Sequence, residues 1–376
     1  MKWEYKTLDQ LGTVSRGKSK HRPRNDPKLF GGKYPFIQTA DVKNADYYIT
    51  KYSDTYNESG VAQSKLWDKG TLCITIAANI ADTGVLAFPA CFPDSIMGFV
   101  PFEGVANTRF IKYCFDRLQR DCKQISQGTA QDNLSWEKLS TIKFCIPEYK
   151  EQCRIADILS AYDDLIENNQ KQIKLLEEAA QRLYKEWFVD LRFPGHENTK
   201  IVDSVPEGWR RGLLKELISV NYGKDHKKVP DDGNIPVYGS GGLMRKCNKS
   251  LFSGEAVLIP RKGSLNNIMY VDETFWTVDT MFYATMKQPH TAVFVYFFVK
   301  TFDMYSMNIG AAVPSMTTKI LDAMDVVIPD KETLEKFDKY AKVYFNKIKT
   351  LQGQNEQLKT ARDLLLPKLM SGEVEV

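Results

Sequence analysis

The sequence predicts a mixed α/β (α+β) protein made of two similar units, each a globular part followed by a long helix. Three observations carry this. The chain aligns to itself in order. Each copy mixes short β-like runs with helical patterns. Each copy then ends in a sustained heptad seam.

Composition sets the bounds. A chain of 376 residues with 43% hydrophobic and 26% charged residues can bury two ordinary cores. No run of 18 apolar residues occurs, so no membrane span is expected. The stretch Met1-Lys2-Trp3-Glu4-Tyr5-Lys6 has neither the apolar run nor the cleavage site of a signal peptide. The cysteines, at 73, 91, 114, 122, 145, 153 and 247, are odd in number and lack CxxC spacing. A disulfide framework or zinc site is therefore not expected, and a reducing cytoplasm is. His21, His196, His226 and His290 stand apart from one another, so no metal is expected.

The repeat is read first at the ends of the copies. Trp3 to Gly17 and Trp209 to Gly223 each span 14 residues, each with a Leu-x-x-Leu pair (Leu8/Leu11, Leu214/Leu217) and a final Gly-Lys. Gly128 to Pro147 and Gly310 to Pro329 each span 19 residues and end in Ile-Pro. The offset between copies falls from 206 to 182, so the second globular part is shorter by 24 residues. The predicted layout is a first domain over 1–147, a long helix over 148–191, a Pro/Gly linker over 192–208, a second domain over 209–329 and a second long helix over 330–372.

The heptad seam of the first helix reads Ile155, Leu159, Tyr162, Ile166, Asn169, Ile173, Leu176, Ala180, Leu183 and Trp187. At the same offset the second reads Phe337, Ala341, Tyr344, Ile348, Leu351, Asn355, Leu358, Arg362, Leu365 and Leu369. Two matched seams in one chain read as partners. The intervening domain favours an antiparallel pair, in a register that sets Asn169 opposite Asn355 and Tyr162 opposite Arg362. A buried Asn pair fixes register at some cost in stability. A seam Arg needs a partner, and Tyr162 could shield its stem. Carboxylate pairs such as Asp163-Asp164 read as solvated helix faces.

Both globular parts carry strand signals, such as Thr71–Ile76 and Ala256–Ile259, and helical patterns over Asn107–Lys123 and Thr291–Phe302. Net charge is only +4, but it is unevenly spread. Arg16, Lys18, Lys20, Arg22 and Arg24 alternate beside His21 with no acid between them. This suits contact with phosphates, or equally a solvated surface loop. Lys224, Lys227 and Lys228 follow the second Gly223, and Arg261-Lys262 follows a strand-like run; both are candidates for phosphate contact.

Gly12-Thr-Val-Ser-Arg-Gly17-Lys18-Ser19 matches the GxxxxGK[ST] phosphate loop. Pro23 and Pro27 forbid the helix that loop requires, so it reads as a basic loop. Gln127, Thr129 and Gln131 lie in a polar loop whose amides could pair with adenine. Asn133 and Ser315 read more simply as helix caps. No GxGxxG after a strand, GxSxG, HExxH, or Asn-Pro-Pro-Tyr motif supports an enzyme.

These features together resemble the specificity subunit of type I restriction-modification systems. The carriers are the duplicated layout, the Gly-Thr-Ala-Gln-Asp-Asn-Leu loop leading to Ile146-Pro147, Leu165-Ile-Glu-Asn-Asn-Gln170, and Val205-Pro-Glu-Gly-Trp209. Pro236-Val-Tyr-Gly-Ser-Gly-Gly242, Pro260-Arg-Lys-Gly-Ser264 and Trp276-Thr-Val-Asp-Thr280 complete them. The resemblance covers essentially the whole chain. It implies two target-recognition domains reading halves of a split site on double-stranded DNA. It also implies a helical spacer that docks two methyltransferase subunits, and restriction subunits joining later, in a prokaryotic cytoplasm. S-adenosylmethionine, ATP and Mg²⁺ would then belong to the partners, with no cofactor on this chain. The competing reading is a coiled-coil scaffold that binds protein alone.

Overall fold

The computed structural model describes residues 3–76, 82–125, 136–307 and 315–376. They form two compact units, Met1–Asn169 with Gly353–Val376, and Gln170–Gln352. These are unit 1 and unit 2.

Unit 1 holds a five-stranded sheet ordered Gly12–Arg16, Ile96–Pro101, Leu72–Thr75, Thr83–Leu86 and Tyr48–Ile49. Its pairs are antiparallel except the last, which is parallel. A second sheet joins Asp54–Tyr56, Phe30–Phe36, Ala90–Cys91 and Leu66–Trp67. The helix Thr108–Ile125 buries Phe110, Ile111 and Phe115 in the core that also takes Leu72, Ile74 and Phe99. Unit 2 is built on one six-stranded sheet, ordered Ile218–Tyr222, Met281–Met286, Phe252–Pro260, Met269–Thr277, Ile235–Gly239 and Gly242–Cys247. The apolar helix Ala292–Lys300 is buried along almost its whole length against it.

The repeated sequence signals have repeated structural causes. Glu4–Lys6 pairs antiparallel with Phe144–Ile146, and Arg210–Leu213 pairs likewise with Asp325–Ile328. The first Leu-x-x-Leu pair bounds a four-residue helix, Leu8–Leu11; in the second, Leu214 opens a 3-10 turn, Leu214–Glu216, that Leu217 closes. All four leucines are fully buried. Each such side chain contributes about 1.5–3 kcal/mol on leaving water.

The first long helix spans Tyr149–Tyr184, with a π turn over Lys185–Val189; the second spans Lys331–Ser371 and carries Pro367 within its last turns. Each gives one half to unit 1 and the other to unit 2. In unit 1, Ile155 and Leu159 share a core with Leu366, Leu369 and Met370. In unit 2, Ala180, Tyr184 and Trp187 share one with Phe337 and Ala341, and the Trp187 and Phe337 rings lie 5.8 Å apart. The helix segments run antiparallel in both units. Asp330 starts the second helix by accepting from the Thr333 amide at 2.9 Å, and the Trp209 indole donates to the same carboxylate at 3.0 Å. These bonds hold the Asp330 carboxyl below the usual range, against the opposing effect of burial.

Candidate nucleic-acid interface

The two Gly-Lys dipeptides sit at the same place in both units, where the first sheet strand ends. Gly17 N–H donates to Ile96 O at 2.8 Å and Lys18 N–H to Phe92 O at 3.0 Å. In unit 2, Gly223 N–H donates to Met281 O at 2.9 Å and Lys224 N–H to Thr277 O at 2.9 Å. A Cβ on Gly17 would lie 2.3 Å from the Phe92 carbonyl oxygen, and one on Gly223 2.0 Å from that of Val278. Glycine is therefore demanded by close backbone approach. The lysine that follows is exposed in both copies.

In unit 1 the chain beyond Gly17 remains extended, with a bridge from Ser19 to Ser64. Gly17 and Ser19 are buried, while Arg16, Lys18 and Lys20 are exposed. The two-residue period thus sets these three cations on one solvent face. Among the described residues none of the three makes an ion pair. The next cations differ. Arg22 donates to the carbonyls of Ser19 and His21 at 2.6 and 2.9 Å, and Arg24 pairs with Asp94 at 2.6 Å. His21 meets Asp26 at 2.9 Å; the Lys28 amide and then His21 hold that carboxyl low. Arg22 and Arg24 therefore brace the loop through their guanidinium groups. No phosphate-cradling helix follows, because Gly12–Arg16 is a strand and Pro27–Leu29 a single 3-10 turn.

In unit 2 the turn Thr277–Met281 gathers cations distant in sequence. Lys224 is anchored to it as above. Arg261 and Lys262 donate their backbone amides to Thr280 O at 2.8 and 3.2 Å. The Arg261 guanidinium reaches Asp279 O at 3.4 Å and lies 5.7 Å from the centre of the exposed Tyr222 ring. Lys227 and Lys228 are exposed on the adjoining loop, which Arg245 ties down through His226 and the Val229 carbonyl. Tyr222 and Arg245 are additions that charge runs could not reveal; the repeat offset, which sets Tyr222 opposite Arg16, does point to Tyr222. Ser315, expected to cap a helix, instead bridges Lys262, and Thr317 caps Thr318–Asp322. Gln127, Thr129, Gln131 and Asn133 lie outside the described residues.

The family described as "Type I restriction modification DNA specificity domain" matches residues 1–178 and 206–360, one match for each copy of the repeat. The chain belongs to this family. Among its relatives, the type I restriction enzyme MjaIX specificity subunit of Methanocaldococcus jannaschii is 26% identical, over all of this chain and 94% of that protein. The type I restriction enzyme HindI specificity subunit of Haemophilus influenzae is 23% identical over 64% of this chain and 71% of its own. A crystal structure of a type I restriction-modification S subunit from M. genitalium shares the fold. Its TM-score is 0.56 at 20% identity, covering 98% of this chain and 96% of that one.

In this specificity-family chain the unit 1 part of the helix pair carries polar pairs within its seam. The Asn169 side-chain amide donates to Asn355 Oδ1 at 2.9 Å, with both residues more than nine-tenths buried. Asp163, read from the sequence as solvated, is almost wholly buried. It receives hydrogen bonds from the Arg362 guanidinium and the Tyr113 hydroxyl. The partner of Arg362 across the seam is thus Asp163, one residue along from Tyr162, the residue expected opposite it to shield its stem. Periodicity names the helix face but cannot say that a carboxylate at its margin is roofed over by Tyr113. Burial raises the Asp163 carboxyl, and the Arg362 charge opposes this. Asp163 and Asp363 in turn hold Arg362 protonated against its own burial. No described helix is long and apolar enough to cross a membrane.

Proposed function

We propose that this chain is the DNA-reading subunit of a type I restriction-modification complex and itself catalyses no reaction. The observation that carries the reading is duplication: two family matches, each containing a strand that ends in a buried glycine and an exposed lysine. Each unit reads one half of a split target on double-stranded DNA. Arg16, Lys18 and Lys20 in unit 1, and Lys224, Lys227, Lys228, Arg261 and Lys262 in unit 2, hold phosphates, with His21, Arg22 and Arg24 shaping the first loop. Phosphate contacts position the protein and base contacts specify the sequence. The unequal sizes of the copies suggest an asymmetric target.

The helix pair is the spacer between the two readers and the dock for two methyltransferase subunits, which restriction subunits then join. Ile158 and Tyr340, equivalent through the 182-residue offset, are 36% and 55% exposed on their helices, which supports two related docking faces. Asn169 and Asn355 fix the register. S-adenosylmethionine, ATP and Mg²⁺ act on the partner subunits. The complex works in a prokaryotic cytoplasm, where the six free cysteines described here would stay reduced.

The test is duplex binding by the chain assembled with its methyltransferase subunits. Affinity should fall steeply with salt and should require both halves of one split sequence. Binding of protein partners without DNA preference would establish the scaffold reading instead. Inserting one heptad into both helices adds about 10 Å and should lengthen the tolerated gap by roughly three base pairs.

A further inference from the structure

The hairpin Ile235–Cys247 ends the six-stranded sheet of unit 2, and Gly242–Cys247 is its edge strand. Its register breaks between Val237 and Tyr238. Val237 faces Arg245 and Tyr238 faces Leu243, which leaves Met244 as the extra residue of a β-bulge. A bulge re-aims side chains that strict alternation would send to opposite faces. Here Leu243 is 60% and Met244 54% exposed, side by side in sequence. Gly239 makes the room. A Cβ there would lie 2.4 Å from Met244 Sδ. Edge strands are ordinarily blunted with charge or proline, so two adjacent exposed apolar residues on one call for an occupant.

The surroundings select that occupant. Asn267 holds the hairpin turn by donating to Ser240 O at 2.9 Å, and Gly263 abuts the Ser240 hydroxyl, which places the turn against the Arg261–Ser264 loop. Behind the bulge, Arg245 is tied to the loop bearing Lys227 and Lys228, and Lys246 is exposed beside it. Of the acids in that loop, Asp225 accepts from the Lys227 amide at 3.0 Å and Asp232 from the Asn248 side-chain amide at 2.6 Å, while Asp231 is exposed. The apolar pair is thus flanked by cations on both sides, as a polyanion requires.

We infer that Leu243 and Met244 are base-reading residues of unit 2, entering the major groove on the hairpin and packing against thymine methyl groups. A two-stranded ribbon fits that groove, and the thymine methyl is its apolar mark. The inference rests on the DNA-reading function proposed above and names the side chains that would read sequence.

The experiment compares wild-type chain with L243A/M244A and with L243A alone, each assembled with its methyltransferase subunits, on a random duplex library and then base by base on the selected site. Both positions are exposed, so thermal unfolding should be unchanged. Discrimination at one or two pairs of a single half-site should fall about tenfold, with other positions unaffected. Deoxyuridine for thymine at those pairs should cost the wild type the same factor and L243A/M244A nothing further. Unchanged preference, a uniform loss on all sequences, or responding pairs that lack thymine would overturn the inference while leaving the DNA-reading function standing. Lost methyltransferase assembly with intact base preference would also overturn it, by giving the face to a protein partner. A wild-type assembly with no sequence preference would overturn the proposed function itself.

Discussion

Unit 1 and unit 2 build their halves of the same two helices from different chemistry. The unit 1 half is pinned by Asn169–Asn355 and by Arg362 on buried Asp163. The unit 2 half is filled by Tyr184, Trp187, Phe337 and Ala341. Its buried carboxylate, Asp338, pairs with Lys342 of the same helix at 2.9 Å and meets His290 at 2.8 Å, so neither bond crosses the seam. Polar pairs inside a seam discriminate among registers, because any slip leaves them unpartnered; aromatic packing stabilises but tolerates slips better. One half therefore specifies the alignment that the other half strengthens.

Arg362→Leu should have the greatest effect. It leaves Asp163 buried without its counter-charge and should cost about 3–5 kcal/mol in denaturant unfolding. Adding Asp163→Leu should recover much of that. Phe337→Ala in unit 2 should cost about as much, but no second substitution at a polar site should rescue it. Equal rescue in both units would erase the distinction.

Next come the glycines that both units share. Gly17→Ala and Gly223→Ala force a Cβ into backbone carbonyls and should each cost about 1–3 kcal/mol. Each should weaken recognition of one half-site, a different one in the two variants. If both weakened the same half-site, the units would not be independent readers.

A smaller effect tests the helix start of unit 2. Asp330→Ala should cost about 1 kcal/mol at neutral pH. The Asp330 carboxyl is held below its ordinary value, so its contribution is present above that value and is lost as pH falls through the lowered one. The gap between wild type and variant should therefore close in acid. A gap that widened in acid would reject the cap.

The smallest changes separate the two cation sets. Lys18→Ala or Lys262→Ala should weaken binding to all sequences alike and reduce the slope of log affinity against log salt by about 0.9 each. Arg24→Ala should change that slope less, because its charge already meets Asp94. Degeneracy confined to one half-site would make any of these a base reader.

The duplication, the two long helices and the matching Gly-Lys positions are legible in the amino-acid order alone. Spacing carries each of these: heptads mark a helix face, and a constant offset matches one Gly-Lys to the other. The segment Gly12–Ser19, however, reads as a basic loop, and only the structure shows Gly12–Arg16 as a strand with Gly17 pressed against carbonyls. The facing of Asn169 and Asn355 followed from matching two seams of equal length. The folded chain was needed to show which cations are engaged internally, as with Arg22 and Arg24. It alone showed that Asp163 is buried beneath Arg362, and that Lys224, Arg261 and Lys262 meet on one turn. Those facts depend on strand order and on what lies over a side chain. Both are set by contacts between residues far apart in the chain, which no local pattern records.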